Sequence, residues 1–271
     1  MMNRIIAVNS NCYHGFSVDD AIEGIAAAGF HYIELTATKG WTEHVFPTMA
    51  FNELWRIKEK LSKADLIPFS MSGHTNLMDK DRIPDFINNM RLANFYGCNT
   101  IVSSIGEAHL EDKAVLTDEE AANQISTLLP HLEEYELELV LENHGDHATG
   151  LHIKRIVDLI GSPLVSINYD TANVIYFAGI DPLEDMPGCV GQIGYMHIKD
   201  KIGGKGEWHF PALGQGKVNF PEILELLENS GNGCPWSIEI EFTSDGPRDL
   251  YEVNQAVKDS YDYLKSLGLE I

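Results

Sequence analysis

Basic charge is what this chain has least of. Its 19 lysines and arginines stand against 41 aspartates and glutamates, a formal net charge of −22. A surface of that sign repels a phosphate backbone at long range, which argues against a nucleic-acid partner. No run of about 18 apolar residues occurs, so no membrane-spanning helix and no membrane partner is expected. The four cysteines, Cys12, Cys98, Cys189 and Cys234, form no CxxC pair. A thiolate metal site is therefore unsupported, and reduced, mostly buried thiols in a cytoplasmic protein are expected. The segment NSNCYHGF, after the first β-like run, has neither a GxGxxG nor a Walker pattern, which counts against a doubly wound nucleotide-binding sheet. The N-terminus, MMNRIIAVNSNC, has only a short apolar run and reads as a first strand rather than a signal peptide.

What the chain does have is alternation. Short β-like runs at 4–9, 32–37, 67–72, 100–105, 137–142, 165–170, 195–200 and 236–241 are each followed by an amphipathic or capped helical run. The helical runs start with Ser17 as a cap and Gly29 near the end, and continue at 51–65, 81–96, 118–135, 150–160, about 181–187, 220–229 and 248–266. Thr117 with Glu120 three residues on is a capping box, and the acidic stretch 111–120 reads as a solvated helix N-terminus. In 51–65 the residues Phe51, Leu54, Trp55, Ile57 and Leu61 suggest one apolar face. The eight strand–helix units show no linker and no composition break. They predict an α/β fold, a closed (β/α)8 TIM barrel formed by one domain over residues 1–271.

In such a barrel the chemistry sits at the C-terminal ends of the strands, and those ends are polar here. The fifth strand runs LVLENH into Glu142, the sixth ends at Asp170 before Asn173, the seventh carries His197 and Lys199, and the eighth carries Glu239 and Glu241. Period-2 alternation sets Ser166, Asn168 and Asp170 against Val165, Ile167 and Tyr169, and sets Ser237, Glu239 and Glu241 against Trp236, Ile238 and Ile240. The polar sets should face the barrel interior. Several carboxylates in one enclosed space repel one another unless a cation joins them. Glu142, Asp170, His197 and Glu239 offer three carboxylates and an imidazole, a donor set that suits one Mn2+, Co2+, Mg2+ or Zn2+ ion. His144, His147 and His152 are expected to be surface or loop-packing residues.

The pieces GFHYIEL (29–35), LVLENH (139–144), INYDTANV (167–174), YMHIKDK (195–201), LGQGKVNF (213–220) and WSIEIEF (236–242), in this order, give a chain that resembles the xylose-isomerase-like (β/α)8 superfamily of sugar isomerases and epimerases, related to the endonuclease IV group. The resemblance implies a divalent metal held by Glu142, Asp170, His197 and Glu239, with Glu241 as the alternative to Glu239. It also implies Glu142 and Glu239 as the acid and base that move a proton beside a carbonyl, through a metal-bound enediolate. The product is an epimer, an aldose–ketose isomer or, if a β-hydroxyl leaves, a dehydration product; sequence does not separate these. The endonuclease branch has histidines where this chain has Ser103-Ser104 and Asn173, so its three-zinc cluster, and with it DNA cleavage, is not expected.

The expected substrate is a sugar or polyol-derived ketone, with His74, Asn173, Lys199 and His209 as binding candidates. Trp41 and Trp208 are candidates to stack on it or close the mouth. Lys199 is equally a candidate for an ion pair with Asp200 or Glu241. A non-catalytic sugar-binding protein is the rival of another class, and the retention of both Glu142 and Glu239 argues against it. The mixed faces of helix 248–266 leave a homo-oligomer open.

Overall fold

The computed structural model describes residues 4–106 and 115–271; residues 111–114 of the acidic stretch lie outside these. Eight parallel strands close into a barrel: β1 (Ile6–Asn9), β2 (Tyr32–Thr36), β3 (Ile67–Ser72), β4 (Thr100–Ser104), β5 (Glu138–Glu142), β6 (Val165–Asp170), β7 (Ile193–Ile198) and, beyond a short strand β8 (His209–Phe210), β9 (Trp236–Ile238). Closure is direct, because Trp236 is in register with Ile6 on one side and Met196 on the other. The fold class read from the sequence is therefore the one observed. A two-residue strand β10 (Phe242–Thr243) pairs antiparallel with β8 and forms a separate ribbon.

The helices are α1 (Val18–Ala28), α2 (Phe51–Lys63), α3 (Ile83–Tyr96), α4 (Asp118–Ile125), α5 (Leu129–Tyr135), α6 (Gly150–Ile160), α7 (Pro182–Asp185), α8 (Phe220–Ser230) and α9 (Leu250–Ser266). The expected caps form: Ser17 and Thr117 each close a capping box, with Asp20 and Glu120, and Gly29 ends α1 in the left-handed conformation. Gly24 lets α1 approach α9, since a Cβ there would lie 2.2 Å from Asn254 Oδ1.

Three expectations need correction. The helix expected over 118–135 breaks after Ile125 into a 3-10 turn, Ser126–Leu128, before α5. Pro130 is the reason, because it has no N–H to donate and its ring crowds the preceding turn. The expected apolar face of α2 buries only Leu54, Ile57 and Leu61. Phe51 and Trp55 are 67% and 48% exposed and lean on Phe95 instead, at ring-centroid distances of 5.8 and 6.3 Å. Finally, β7 and β9 end at Ile198 and Ile238, so Lys199, Glu239 and Glu241 lie just past their strands.

The apolar core lies between sheet and helices. Inside the barrel, Val102, Val140 and Tyr195, with Phe69 against them, form a separate apolar floor. All four cysteines are buried and unpaired. One face of α9 is committed inward through Val253, Val257 and Leu264, and Tyr251 is its exposed aromatic. Among the described residues no helix is long and apolar enough to cross a membrane.

Candidate active site

Strand register puts the polar ends at one level. Asp170 is paired with His197, and Glu142 with Asn168. Glu142, Asp170, His197 and Glu239 are 2%, 0%, 0% and 7% exposed, and one ligand atom from each lies within 4.8 Å of the others. Asn143 fixes two of the strand ends: its Oδ1 accepts from Asp170 N–H at 2.7 Å and its Nδ2 donates to Asp170 C=O at 3.0 Å.

His197 is the hub. Its Nδ1 lies 2.6 Å from Glu142 Oε1 and 3.7 Å from Glu239 Oε2. Its Nε2 lies 3.0 and 3.2 Å from the two oxygens of Glu34. Burial opposes its protonation, but Glu34 and Glu142 outweigh burial and raise its pKa well above the usual imidazole value. Glu34 is the site's main residue that the sequence reading passed over. It is fully buried, accepts from Tyr195 Oη at 3.0 Å and from Asn9 Nδ2 at 3.3 Å, and fixes the outer nitrogen of His197, as a carboxylate does behind a metal-binding histidine. The alternation of YIELT, with Ile33 and Leu35 facing the helices, was the signal that could have found it.

The carboxylates are not equivalent. Burial opposes ionisation of Glu142, but His74 and His197 hold it well below the usual carboxylate range. His74 Nδ1 accepts from Ser104 N–H, which turns Nε2 with its proton toward Glu142 Oε2, 3.5 Å away. Burial pushes Asp170 upward; Lys199 opposes this, and Glu142 and Glu239 add to it. Asp170 Oδ1 accepts from the backbone N–H groups of Ala172 and Asn173, both at 2.8 Å, while its buried Oδ2 has no partner among the described residues. An orphaned buried carboxylate oxygen among two further carboxylates and an imidazole fits a divalent cation held there.

Lys199 Nζ sits 3.2 Å from Glu239 and 2.5 Å from Glu241. Of the pairings open at the outset, that with Glu241 forms. Asp200 instead accepts the backbone N–H groups of Gly214, Gly216 and Val218 and folds the following loop; a Cβ at Gly216 would lie 2.2 Å from its Oδ1. Glu239, unlike Glu241, has an ion-pair contact with the His197 ring.

Above these groups opens a cavity of about 790 Å³, the size of a small-molecule site. His74, Asn173, Lys199, Trp41 and Trp208 line it. Trp41 is stacked on His14, centroids 4.2 Å apart, and donates to Asn11 Oδ1. A π-helical turn, Val174–Ala178, delivers Tyr176 and Phe177 to the wall. Two sequence-based placements fail. His209 does not line the cavity: in β8 it pairs with Thr243 and lines a neighbouring cleft, while its neighbours Trp208 and Phe210 face the site. His144, expected in loop packing, lines the cavity with its ring 4.7 Å from Phe177.

A family model described as Xylose isomerase-like TIM barrel matches residues 22–267. The chain belongs to the xylose isomerase-like TIM barrel family. Among curated proteins it is 28% identical over 141 residues to inosose dehydratase of Bacillus thuringiensis (strain Al Hakam), over 44% of this chain and 47% of that protein. The match thus spans about half the length of the curated relative. The solved structure of L-ribulose 3-epimerase superposes with a TM-score of 0.75 at 17% identity, covering 98% of this chain and 94% of the other. The IOLI protein with a binding zinc atom gives 0.75 at 17%, covering 97% of each. At these identities the superpositions establish the shared barrel.

Proposed function

We propose that this chain is a divalent-metal-dependent sugar isomerase or epimerase that moves a proton beside the carbonyl of a polyhydroxylated ketone. The observation that carries the reading is the convergence of Glu142, Asp170, His197 and Glu239, with Asp170 Oδ2 unpartnered, at the base of a cavity of about 790 Å³. These four residues would hold the ion, His197 through Nδ1, the nitrogen that faces Glu142 and Glu239. When bound, a divalent ion polarises the carbonyl and steadies the charge that develops on its oxygen.

The chain's own groups supply the rest. Glu142, held ionised by His74 and His197, is the base that removes the proton. Glu239, whose Oε2 meets both Lys199 and the His197 ring while its Oε1 accepts from Asn9 and Asn11, exchanges the second proton. His74, Asn173 and Lys199 offer polar atoms to the hydroxyls, and Trp41 and Trp208 offer flat apolar faces to the sugar carbons and exclude water.

A second reading keeps the first step and ends in loss of a β-hydroxyl. The curated relative that bears the name inosose dehydratase supports it, and the buried Lys199, ion-paired with Glu239 and Glu241, would then hold the leaving hydroxyl by a hydrogen bond. The test is a panel of ketoses, aldoses and cyclic polyol ketones with added Mn2+, Co2+, Mg2+ or Zn2+. Products are read by NMR after the metal is chelated, and by absorbance. A new epimer or isomer supports the main reading, a new enone band the second, and no turnover of any member with any metal would sink both.

A further inference from the structure

The loop between β5 and α6 carries two histidines that part company. His144 lines the cavity. His147, whose N–H donates to His144 C=O at 3.1 Å, lies instead against α4 and α6. There its ring sits 4.6 Å, centroid to centroid, from that of His152 in the first turn of α6. His152 Nε2 is 3.1 Å from Oδ1 of Asp118, the first residue of α4, and Arg155 Nε holds Asp118 Oδ2 at 3.1 Å. One ligand atom from each of Asp118, His147 and His152 lies within 4.8 Å of the others. His147 is only 7% exposed, yet among the described residues neither of its ring nitrogens makes a hydrogen bond.

Two imidazoles and one carboxylate form a borderline donor set that favours zinc over magnesium or calcium. Four donors at about 2.0–2.1 Å from a tetrahedral ion stand roughly 3.4 Å apart, so the present spacing needs only small side-chain movements. Arg155 occupies the outer carboxylate oxygen and leaves Oδ1 to the inside, the role of an outer partner that orients a ligand.

We propose that Asp118, His147 and His152 form a second divalent-metal site, selective for zinc, with a solvent molecule completing a tetrahedron. It shares no residue with the barrel cluster. Zinc there ties the β5–α6 loop to the first turns of α4 and α6. Because His144 is bridged to His147, it also holds His144 in place at the wall of the active-site cavity.

The test uses Zn2+ alone as the probe. Chelator-stripped protein is equilibrated with buffered free zinc, desalted and analysed for metal. The wild type should retain two zinc ions per chain, His152→Gln one, His197→Ala one, and the combined variant none. If His147→Gln folds poorly, His152→Gln on the partly exposed face of α6 carries the test, with its fold checked by circular dichroism. Retention of the wild-type amount of zinc by His152→Gln and Asp118→Asn would overturn the proposal. Failure of the barrel assignment looks different: His197→Ala would then leave the count unchanged while His152→Gln still lowered it by one.

Discussion

The molecule holds two clusters of the same chemical kind in opposite surroundings. In the barrel, Glu142, Asp170, His197 and Glu239 are at most 7% exposed and must satisfy one another. Between α4 and α6, the side chains of Asp118 and His152 are 16% and 35% exposed, and water and Arg155 can answer their charges. Carboxylates and imidazoles are cheap to keep at a surface and costly to keep in a barrel without partners. The buried cluster therefore speaks much more strongly of a function built into the fold. It is also the one surrounded by outer partners, Glu34, Asn143, His74 and Lys199, each holding a ligand candidate in place.

The largest expected break in this contrast is His197→Ala. It strips Glu34 and Glu142 of their shared partner inside the barrel and should cost on the order of 3–5 kcal/mol in urea unfolding of the metal-free protein. Next comes an acid effect away from both clusters. Burial lowers the pKa of His44 to about 4, so the fold favours the neutral ring. Its contribution is complete above the unfolded value near 6.5 and falls away as the pH drops toward 4. At about 1.4 kcal/mol per unit this reaches about 3 kcal/mol. His44→Gln should flatten that part of a stability-against-pH curve measured by denaturant titration, and an unchanged slope would remove His44 as its cause.

Glu34→Gln keeps the shape of the site but weakens the acceptor behind His197. Metal affinity, measured by competition with a chromophoric chelator, should fall roughly 10–100-fold while the fold survives. An unchanged affinity would leave Glu34 as a structural partner of Tyr195 and Asn9 only. The smallest effect belongs to the exposed cluster: Arg155→Ala in metal-free protein should change stability by no more than about 1 kcal/mol, since its pairs with Asp118 and Glu119 lie near solvent. A larger loss in thermal unfolding would blur the distinction between the two clusters.

Much of the barrel and the depth of its polar ends was legible because strand alternation is a strict two-residue rule. Asn168 and Asp170 point inward for the same reason that Ile167 and Tyr169 do not. That rule fails where a strand is too short to announce itself. His209 belongs to a two-residue strand whose phase is set by Phe242 and Thr243, residues far along the chain, so its direction away from the cavity could not be read locally. His144 was misread because a loop's direction depends on closure, here the bridge to His147. Glu34 was legible and passed over, an acid amid apolar residues in a strand far in sequence from the other ends. The choice between Glu239 and Glu241 rested on tertiary geometry: both meet Lys199, and Glu239 alone of the two has an ion-pair contact with His197.

The central claim is that Glu142 removes a proton beside a carbonyl in the cavity above the buried cluster. The most direct measurement is incorporation of solvent deuterium at that carbon. Polyhydroxylated ketones are incubated in D2O with metal-loaded protein and examined by NMR after chelation. The account predicts exchange into at least one ketone by the wild type, and a loss of about 10²–10⁴-fold in Glu142→Gln. Exchange that persists undiminished in Glu142→Gln, or no exchange into any ketone, would contradict it.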